Sequence, residues 1–358
     1  VSVNPVLARA GALQAADRFE ESKAVLAPHL AGEPDDDWAW QLLAVAHERL
    51  GEYEPAARAA TEMLRISPGH VGALILLSRV LLCLGRQPEA RAAAEEAVRR
   101  APDKWSSHYA LSGVLIAHAT APPADHEQAY DAAREAVRLA PHEPDAHKAL
   151  CFAAVRTQRQ DVAKQALVEW LRLDPSNETA QAMYTDAMAG GPDVTAAQAA
   201  EMYSAGLAGA PQSAMLRSGL DEATYRLLRG TRWLALACLA AAGVMIDLFA
   251  TSKDPTLREL PVPLGNRVWV LMVMAAVWGF GALFRYSRMR RGVQLNIRSL
   301  VRRGRWSRIA VAQAAWTMLC ALLISQVPWT DRSMPEALFW AGLVVPVSTM
   351  LYDRRKAG

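Results

Sequence analysis

The side chains that could do chemistry are few and scattered. Eight histidines all precede residue 150, and the four cysteines, Cys83, Cys151, Cys238 and Cys320, form no C-x-x-C pair. A zinc site or a disulfide framework needs closely spaced ligands or paired thiols, so neither is expected, and the cysteine usage suits a reducing compartment. No His-Glu-x-x-His pair, phosphate-cradling P-loop or Gly-x-Ser-x-Gly elbow occurs. The acidic run Asp35-Asp36-Asp37 stands directly before an expected helix, where carboxylates cap free amides and complement the helix dipole. His142 and His147 do not share a helical face and are expected as exposed turn residues. No catalytic residue, metal ligand or cofactor follows from these patterns, and the chain reads as a non-enzyme.

What must position any functional surface is visible in the charge distribution. The net charge of the 358 residues is +3, but residues 231–358 hold 17 Lys and Arg against 6 Asp and Glu, whereas residues 1–230 hold 22 against 30. Two regions with different surroundings are the simplest reading of such an asymmetry. The N-terminal stretch lacks the basic start and apolar run of a signal peptide. A leading Val, as a literally read GTG codon would give, and the excess of Arg over Lys point to a bacterium with a GC-rich genome.

The first region is periodic. Pro34, Pro68, Pro102, Pro141, Pro175 and Pro211 are separated by 34, 34, 39, 34 and 36 residues. Proline cannot continue a helix and commonly follows its end, so this spacing punctuates helical hairpins. Twelve residues before each proline stands a small residue: Ser22, Ala56, Ala90, Ala129, Ala163 and Ala199. Residues 37–70 carry the fullest pattern, with Trp40 and Leu43, then Gly51 and Tyr53, Ala56 and Pro68; the next repeat keeps Leu77, Gly85, Ala90, Ala97 and Pro102. The stretch resembles the tetratricopeptide repeat (TPR) family. The resemblance covers about residues 3–213 as six repeats. The first is degenerate, with Phe19 as its turn aromatic, and the fourth carries about five extra residues around Ala121-Pro122-Pro123-Ala124-Asp125, expected between its helices.

The resemblance implies a solenoid whose first helices line a concave groove that binds a protein or peptide segment. By register that groove presents Trp38, Gln41, Val45, Glu48, Arg49, Ile75, Arg79, Leu82, Tyr109, Ile116, Lys148, Phe152, Val155 and Arg156. The mixture suits an apolar segment bearing an acidic group. A Lys/Asn carboxylate clamp of the chaperone-tail-binding relatives is not evident.

Beyond a connecting helix expected at 214–231, the composition changes. Apolar runs fall at about 233–250, 268–284, 309–328 and 337–352, within an expected membrane domain of residues 232–358. About 20 residues cross a bilayer, with a range of roughly 17–25, so the first three qualify; the fourth is short and holds Pro346. The fold class is therefore all-α: a TPR hairpin solenoid followed by about four transmembrane helices. Basic residues assign the sides. Arg226, Arg229 and Arg232 precede the first run, and Arg354, Arg355 and Lys356 follow the fourth. Between the second and third stand Arg285, Arg288, Arg290, Arg291, Arg298, Arg302, Arg303, Arg305 and Arg308. The opposite loops hold Lys253, Arg258 and Arg267, and Arg332. Both termini and the repeats are thus expected in the cytoplasm. Within the runs, Asp247 stands near the outer end of the first, and Gln313 and Ser325 could hydrogen-bond between helices.

The loop from Arg285 to Arg308 is the sharpest charge feature, since no Asp or Glu occurs from 260 to 330. Val293, Ile297, Leu300 and Val301 fall at helical spacing, which predicts an amphipathic helix in the membrane interface, facing the bilayer and its anionic lipids; positive-inside insertion alone explains the arginines equally well. Nucleic acid is not an expected partner, because the loop is tied to a membrane and carries no nucleic-acid fold. The reading is a membrane-anchored scaffold or adaptor. The alternative is a regulatory subunit of a membrane enzyme or transporter complex, with the spans as its working part.

Overall fold

The helices stop where the prolines stand. A computed structural model describes residues 4–117, 122–248 and 260–357, with side chains to 350. By packing the chain falls into two units, Val1–Ala180 and Gln181–Gly358. The division lies inside the sixth hairpin rather than at the composition change after 213.

In the first unit, hairpins are formed by α1 (Pro5–Ala15) and α2 (Phe19–Gly32), α3 (Asp37–Arg49) and α4 (Tyr53–Ile66), and α5 (Val71–Cys83) and α6 (Gln87–Arg100). They continue through α7 (Trp105–Ile116) and α8 (Pro123–Leu139), then α9 (Pro144–Arg156) and α10 (Gln160–Leu173). Each helix packs on the next, and α1, α3, α5, α7 and α9 also pack in series, so the first helices form one layer. The small residues twelve before each proline are the reason the helices can cross closely: Ser22, Ala56, Ala90 and Ala129 are fully buried, and Ala163 and Ala199 nearly so. Burying apolar surface in this way supplies most of the stability of such a repeat.

Two recurring devices close the turns. Inside the hairpins one residue takes a left-handed conformation, Asp17, Gly51, Gly85 and Gln158. The next backbone N–H then reaches back to a carbonyl five residues earlier, as from Glu52 to His47 (2.9 Å) and Arg86 to Leu81 (2.9 Å). After three of the prolines between hairpins, the side chain six residues on donates to the proline carbonyl. Trp40 Nε1 bonds Pro34 O (2.8 Å), His108 Nε2 bonds Pro102 O (2.8 Å) and His147 Nε2 bonds Pro141 O (2.9 Å). His147 is therefore buried, contrary to the expectation of an exposed turn residue, while His142 is exposed. Asp36 caps α3 as expected, its Oδ1 accepting from Ala39 N at 3.1 Å. The insertion in the fourth repeat is not wholly a loop. Pro123, Ala124 and Asp125 form the first turn of α8, where Asp125 Oδ1 meets Arg91 Nη1 at 3.0 Å.

The second unit contains the end of α11 (Glu178–Ala189), then α12 (Ala196–Gly209) and α13 (Ala214–Met245). The expected connecting helix and first apolar run are thus one helix of 32 residues. It ends at Asp247, left-handed, with Leu248 N bonded to Gly243 O (3.1 Å), the same closure as in the repeats. Lys253 and Arg258 lie outside the described residues. Next come α14 (Leu264–Trp278), a π turn (Gly279–Leu283) and α15 (Phe284–Arg288), followed by α16 (Arg291–Arg303), α17 (Arg305–Gln326) and α18 (Ser333–Ala357). Three helical stretches, Ala214–Met245, Leu264–Arg288 and Arg305–Gln326, are long and apolar enough to cross a membrane. The fourth expected run lies in α18, which continues through Pro346 and is not one of the three.

Cys238, Leu239, Ile246, Met274, Cys320 and Ile324 form the core of this bundle, whereas Trp233, Trp269, Phe280, Leu283 and Val344 point outward and are exposed. Polar groups tie the helices. Thr317 Oγ1 donates to Gly342 O (2.9 Å), Trp316 Nε1 to Ala341 O (3.1 Å) and Thr349 Oγ1 to Gln313 Oε1 (2.5 Å). Ser325 does not bridge helices, since its hydroxyl donates to Leu322 O of its own helix (3.2 Å). Arg267 and Arg332, expected in loops, bond backbone carbonyls of Val262 (2.9 Å) and Ile246 (3.3 Å).

The turn geometry makes a testable distinction. A β-carbon in the left-handed region costs about 1–2 kcal/mol, so Gly85→Ala is expected to lower stability by about that amount in urea unfolding. Gln158→Gly removes the same cost and is expected to be neutral or slightly stabilising.

Candidate partner groove and basic helix

The layer of first helices carries a polar ladder. Glu48 on α3 pairs with Arg79 on α5 through the guanidinium Nε and Nη2, Nη2 lying 2.6 Å from Oε2. The hydrogen bond from Arg79 to Glu48 holds the guanidinium above its ordinary pKa, and the Tyr109 hydroxyl on α7 acts in the same direction. Lys148 on α9 is half-buried. Burial opposes its charge, but Tyr109 and Asp145 outweigh it and raise its pKa. Glu48, Arg79, Tyr109 and Lys148 are thereby brought together across four successive first helices.

The other expected groove residues divide. Trp38 is exposed, and Gln41 is partly exposed beside it on α3. Arg156, at the end of α9, is exposed and has no ion-pair partner among the described residues. Arg49 turns instead to the first hairpin turn, 3.7 Å from Asp17 and 5.3 Å above the Phe19 ring. Phe152 is partly buried, its ring 6.1 Å from that of the buried Trp170 on α10.

Cross-repeat ion pairs are the main feature that residue-type reasoning misses. Lys23 Nζ contacts Glu52 at 2.7 Å, and His47 Nδ1 bonds the same carboxylate. Lys23, followed by His47, holds the Glu52 carboxyl below its usual range. A sequence signal was present: Lys23 and Glu52 are 29 residues apart and Glu48 and Arg79 are 31 apart, opposite charges nearly one repeat apart. His29, Glu33 and Asp36 bring potential metal-ligand atoms within 4.8 Å of one another. Asp36 already caps α3 and meets His29 Nε2 at 2.7 Å, so the cluster closes a turn.

In the second unit, α16 is a helix as expected, but its apolar face does not wait for lipid. Val293 is fully buried and Ile297 packs with it against Tyr203 of α12 and Leu216, Leu220 and Ala223 of α13. Asn296 Nδ2 donates to Asp221 Oδ1 (2.9 Å) and Thr224 Oγ1 (3.1 Å). The part of the amphipathic face at Val293 and Ile297 is therefore covered by protein, while Leu300 and Val301 stay partly exposed. Arg285, Arg288, Arg290, Arg291, Arg298, Arg302, Arg303, Arg305 and Arg308 are all exposed. Arg288 stacks on Phe284 (4.2 Å), Arg298 Nε bonds Tyr286 OH (3.1 Å) and Arg303 bonds Ser299 Oγ (2.9 Å). None of the nine has a carboxylate partner among the described residues.

Solved structures identify the class of the fold. PilW, described as a widely conserved type IV pilus biogenesis factor, aligns with 61% of this chain and all of its own at 16% identity and a TM-score of 0.51. Cut9, from the APC/C hetero-tetramer Cut9-Hcn1, aligns with 61% of this chain and 42% of its own at 17% identity and a TM-score of 0.54. A thermophilic TPR protein of Thermus thermophilus, TTC0263, matches 51% of this chain and 97% of its own at 20% identity, with a TM-score of 0.45. The chain has a TPR-like helical repeat fold. By sequence, no family description and no curated protein matches it.

Two measurements check these contacts. A double-mutant cycle on Glu48→Gln and Arg79→Gln is expected to give a coupling of about 0.5–1 kcal/mol, because the arginine is exposed and screened. Val293→Ala is expected to destabilise the intact chain by about 2 kcal/mol through loss of buried contact, whereas Leu295→Ala on the exposed side of α16 should leave the melting temperature unchanged.

Proposed function

We propose that this chain is a membrane-anchored adaptor whose first-helix layer binds a segment of a cytoplasmic protein. The observation that carries this reading is the ladder Glu48–Arg79–Tyr109–Lys148, flanked by exposed Trp38 and Arg156, in a chain that also holds three helices long enough to cross a membrane. Glu48 satisfies Arg79 and Asp145 lies 3.4 Å from Lys148, so Arg156 is where an acidic group of the partner docks. Trp38 and Gln41 receive its apolar part. The likeness to Cut9, which assembles with Hcn1, supports a protein partner. The chain acts by recruitment and carries out no catalysis.

The repeat region 1–213 and the C-terminus face the cytoplasm, and α13, α14–α15, α17 and α18 form a multi-pass anchor. The arginines between Arg285 and Arg308 support that orientation, because basic residues are retained on the cytoplasmic side. They also border the anionic leaflet, where each basic residue adds about 1 kcal/mol of attraction.

One set of variants tests both halves. A photo-crosslinking residue at Gln41 or Arg156 is expected to trap a partner in living cells, and the same residue at Arg172 on α10 is not. Equal trapping from Arg172 would move the site off the first-helix layer. In a cysteine-free background, a cysteine at Ser333 is expected to react with an impermeant thiol reagent on sealed cells and one at Arg302 to stay protected. The reverse labelling pattern would put the repeats outside the cell.

A further inference from the structure

The outer face of α16 carries positive charge that no carboxylate meets. Arg298 and the pair Arg302 and Arg303 stand one helical turn apart on it, with Leu295 a turn earlier and Ser299 between. Residues three and four apart share a helix face, and these five line an open depression of about 540 Å³. Val293 and Ile297, on the other face, fix α16 against α12 and α13. The arginine face is thereby turned outward: Leu295 is 64% exposed, and Arg298, Arg302 and Arg303 are exposed with it.

How the guanidinium groups are held matters more than their number. Arg298 donates from Nε to the Tyr286 hydroxyl (3.1 Å), and Arg303 donates from Nη2 to Ser299 Oγ (2.9 Å). Both acceptors are neutral oxygens, so the two side chains are positioned while their full charge remains. Ser299 is itself fixed, its hydroxyl donating to Asn296 O (2.9 Å). In the repeats, exposed arginines close on carboxylates instead, as Arg86 does on Glu89 and Arg138 on Glu135 (each 2.6 Å). On α16 none is at hand, since no Asp or Glu occurs from 260 to 330.

That arrangement has the chemistry of a phosphate site. A guanidinium fork matches phosphate oxygens in pairs, and a side chain already held in place loses less freedom on binding. Arg298 keeps Nη1 and Nη2 for a ligand, Arg303 keeps Nε and Nη1, and Arg302 stands beside both. Three uncompensated charges favour a ligand bearing two negative charges over one bearing a single charge. Position selects the source of the phosphate. α16 joins α15 to α17, so each of its ends abuts a helical stretch apolar enough to cross a membrane, Leu264–Arg288 and Arg305–Gln326. A helix so placed lies at headgroup level, and exposed Leu295 adds an apolar contact beside the charges.

We propose that the outer face of α16 binds the headgroup of a doubly charged phospholipid, its phosphate oxygens shared by Arg298, Arg302 and Arg303 and its glycerol region set against Leu295. Seating a lipid there rests on the reading that α14–α15 and α17 span the membrane. It adds to the general attraction of basic residues for an anionic leaflet a built site of three named arginines.

The test uses the full chain. Alkaline carbonate extraction of membranes comes first: release into the supernatant would sink the anchoring reading, and the lipid site with it. For protein that stays in the pellet, native mass spectrometry in neutral detergent compares retention of cardiolipin, phosphatidylglycerol and phosphatidylcholine. Cardiolipin is expected to be retained about fivefold over phosphatidylglycerol, with phosphatidylcholine last. Arg302→Gln is expected to lower cardiolipin retention about fivefold, and its combination with Arg298→Gln and Arg303→Gln about a hundredfold. Tyr286→Phe and Ser299→Ala change no charge but free Arg298 and Arg303, and each is expected to weaken retention about twofold. Arg285→Gln with Arg308→Gln removes two arginines outside the depression and is expected to leave retention nearly unchanged. Equal retention of the three lipids, or a loss from the Arg285 and Arg308 pair as large as from the site arginines, would overturn the site and leave the anchor standing. Complete displacement of cardiolipin by millimolar inorganic phosphate would overturn the lipid as its occupant.

Discussion

A helical hairpin of this length cannot bury its own apolar face, and the constraint on the first unit is that two helices must cross closely enough for their neighbours to complete the core. The small residues at the crossings satisfy it. Ser22, Ala56, Ala90, Ala129, Ala163 and Ala199 are all buried, and any larger side chain there would push the second helix outward. Once the crossings are set, the first helices fall into one layer and their side chains meet across repeats. The Glu48–Arg79 pair and the approach of Tyr109 to Lys148 follow from that spacing. The turn closures then hold the pitch: a left-handed residue inside four of the hairpin turns, and a donor to the proline carbonyl between most hairpins.

The second unit solves a different problem. Three of its helices are long and apolar enough to cross a membrane, and between helices in lipid the hydrophobic effect would supply little, leaving close packing and hydrogen bonds to hold them. The bonds from Thr317, Trp316 and Thr349 all join α17 to α18, and Cys238, Leu239, Cys320 and Ala321 pack α13 against α17. At the end of the bundle that bears the arginines, α16 uses its apolar face on α12 and α13. The last hairpin and the apolar helices thus belong to one packed unit, with the nine arginines displayed on its outside.

The two functional readings use these features in different ways. Partner capture depends on which charges the repeat layer leaves unsatisfied: Glu48 takes Arg79 and Asp145 takes Lys148, which leaves Arg156. Membrane attachment depends on apolar length for anchoring and on arginine placement for orientation.

The amino-acid sequence by itself determined the periodic architecture. Proline spacing and small residues at a constant offset are local steric requirements of each hairpin, so they are written in every repeat. The apolar runs were equally legible, because crossing a bilayer is a demand on length and composition. What only the tertiary structure decided is which groups meet. His147 looks like a turn residue until the carbonyl of Pro141 is brought to it, and no spacing rule sets the ring of Phe152 beside that of Trp170. The amphipathic pattern of α16 is the sharpest case. Val293 and Ile297 require an apolar partner, and a lipid surface or a protein core would produce the same spacing. Only the placement of α12 and α13 made it protein.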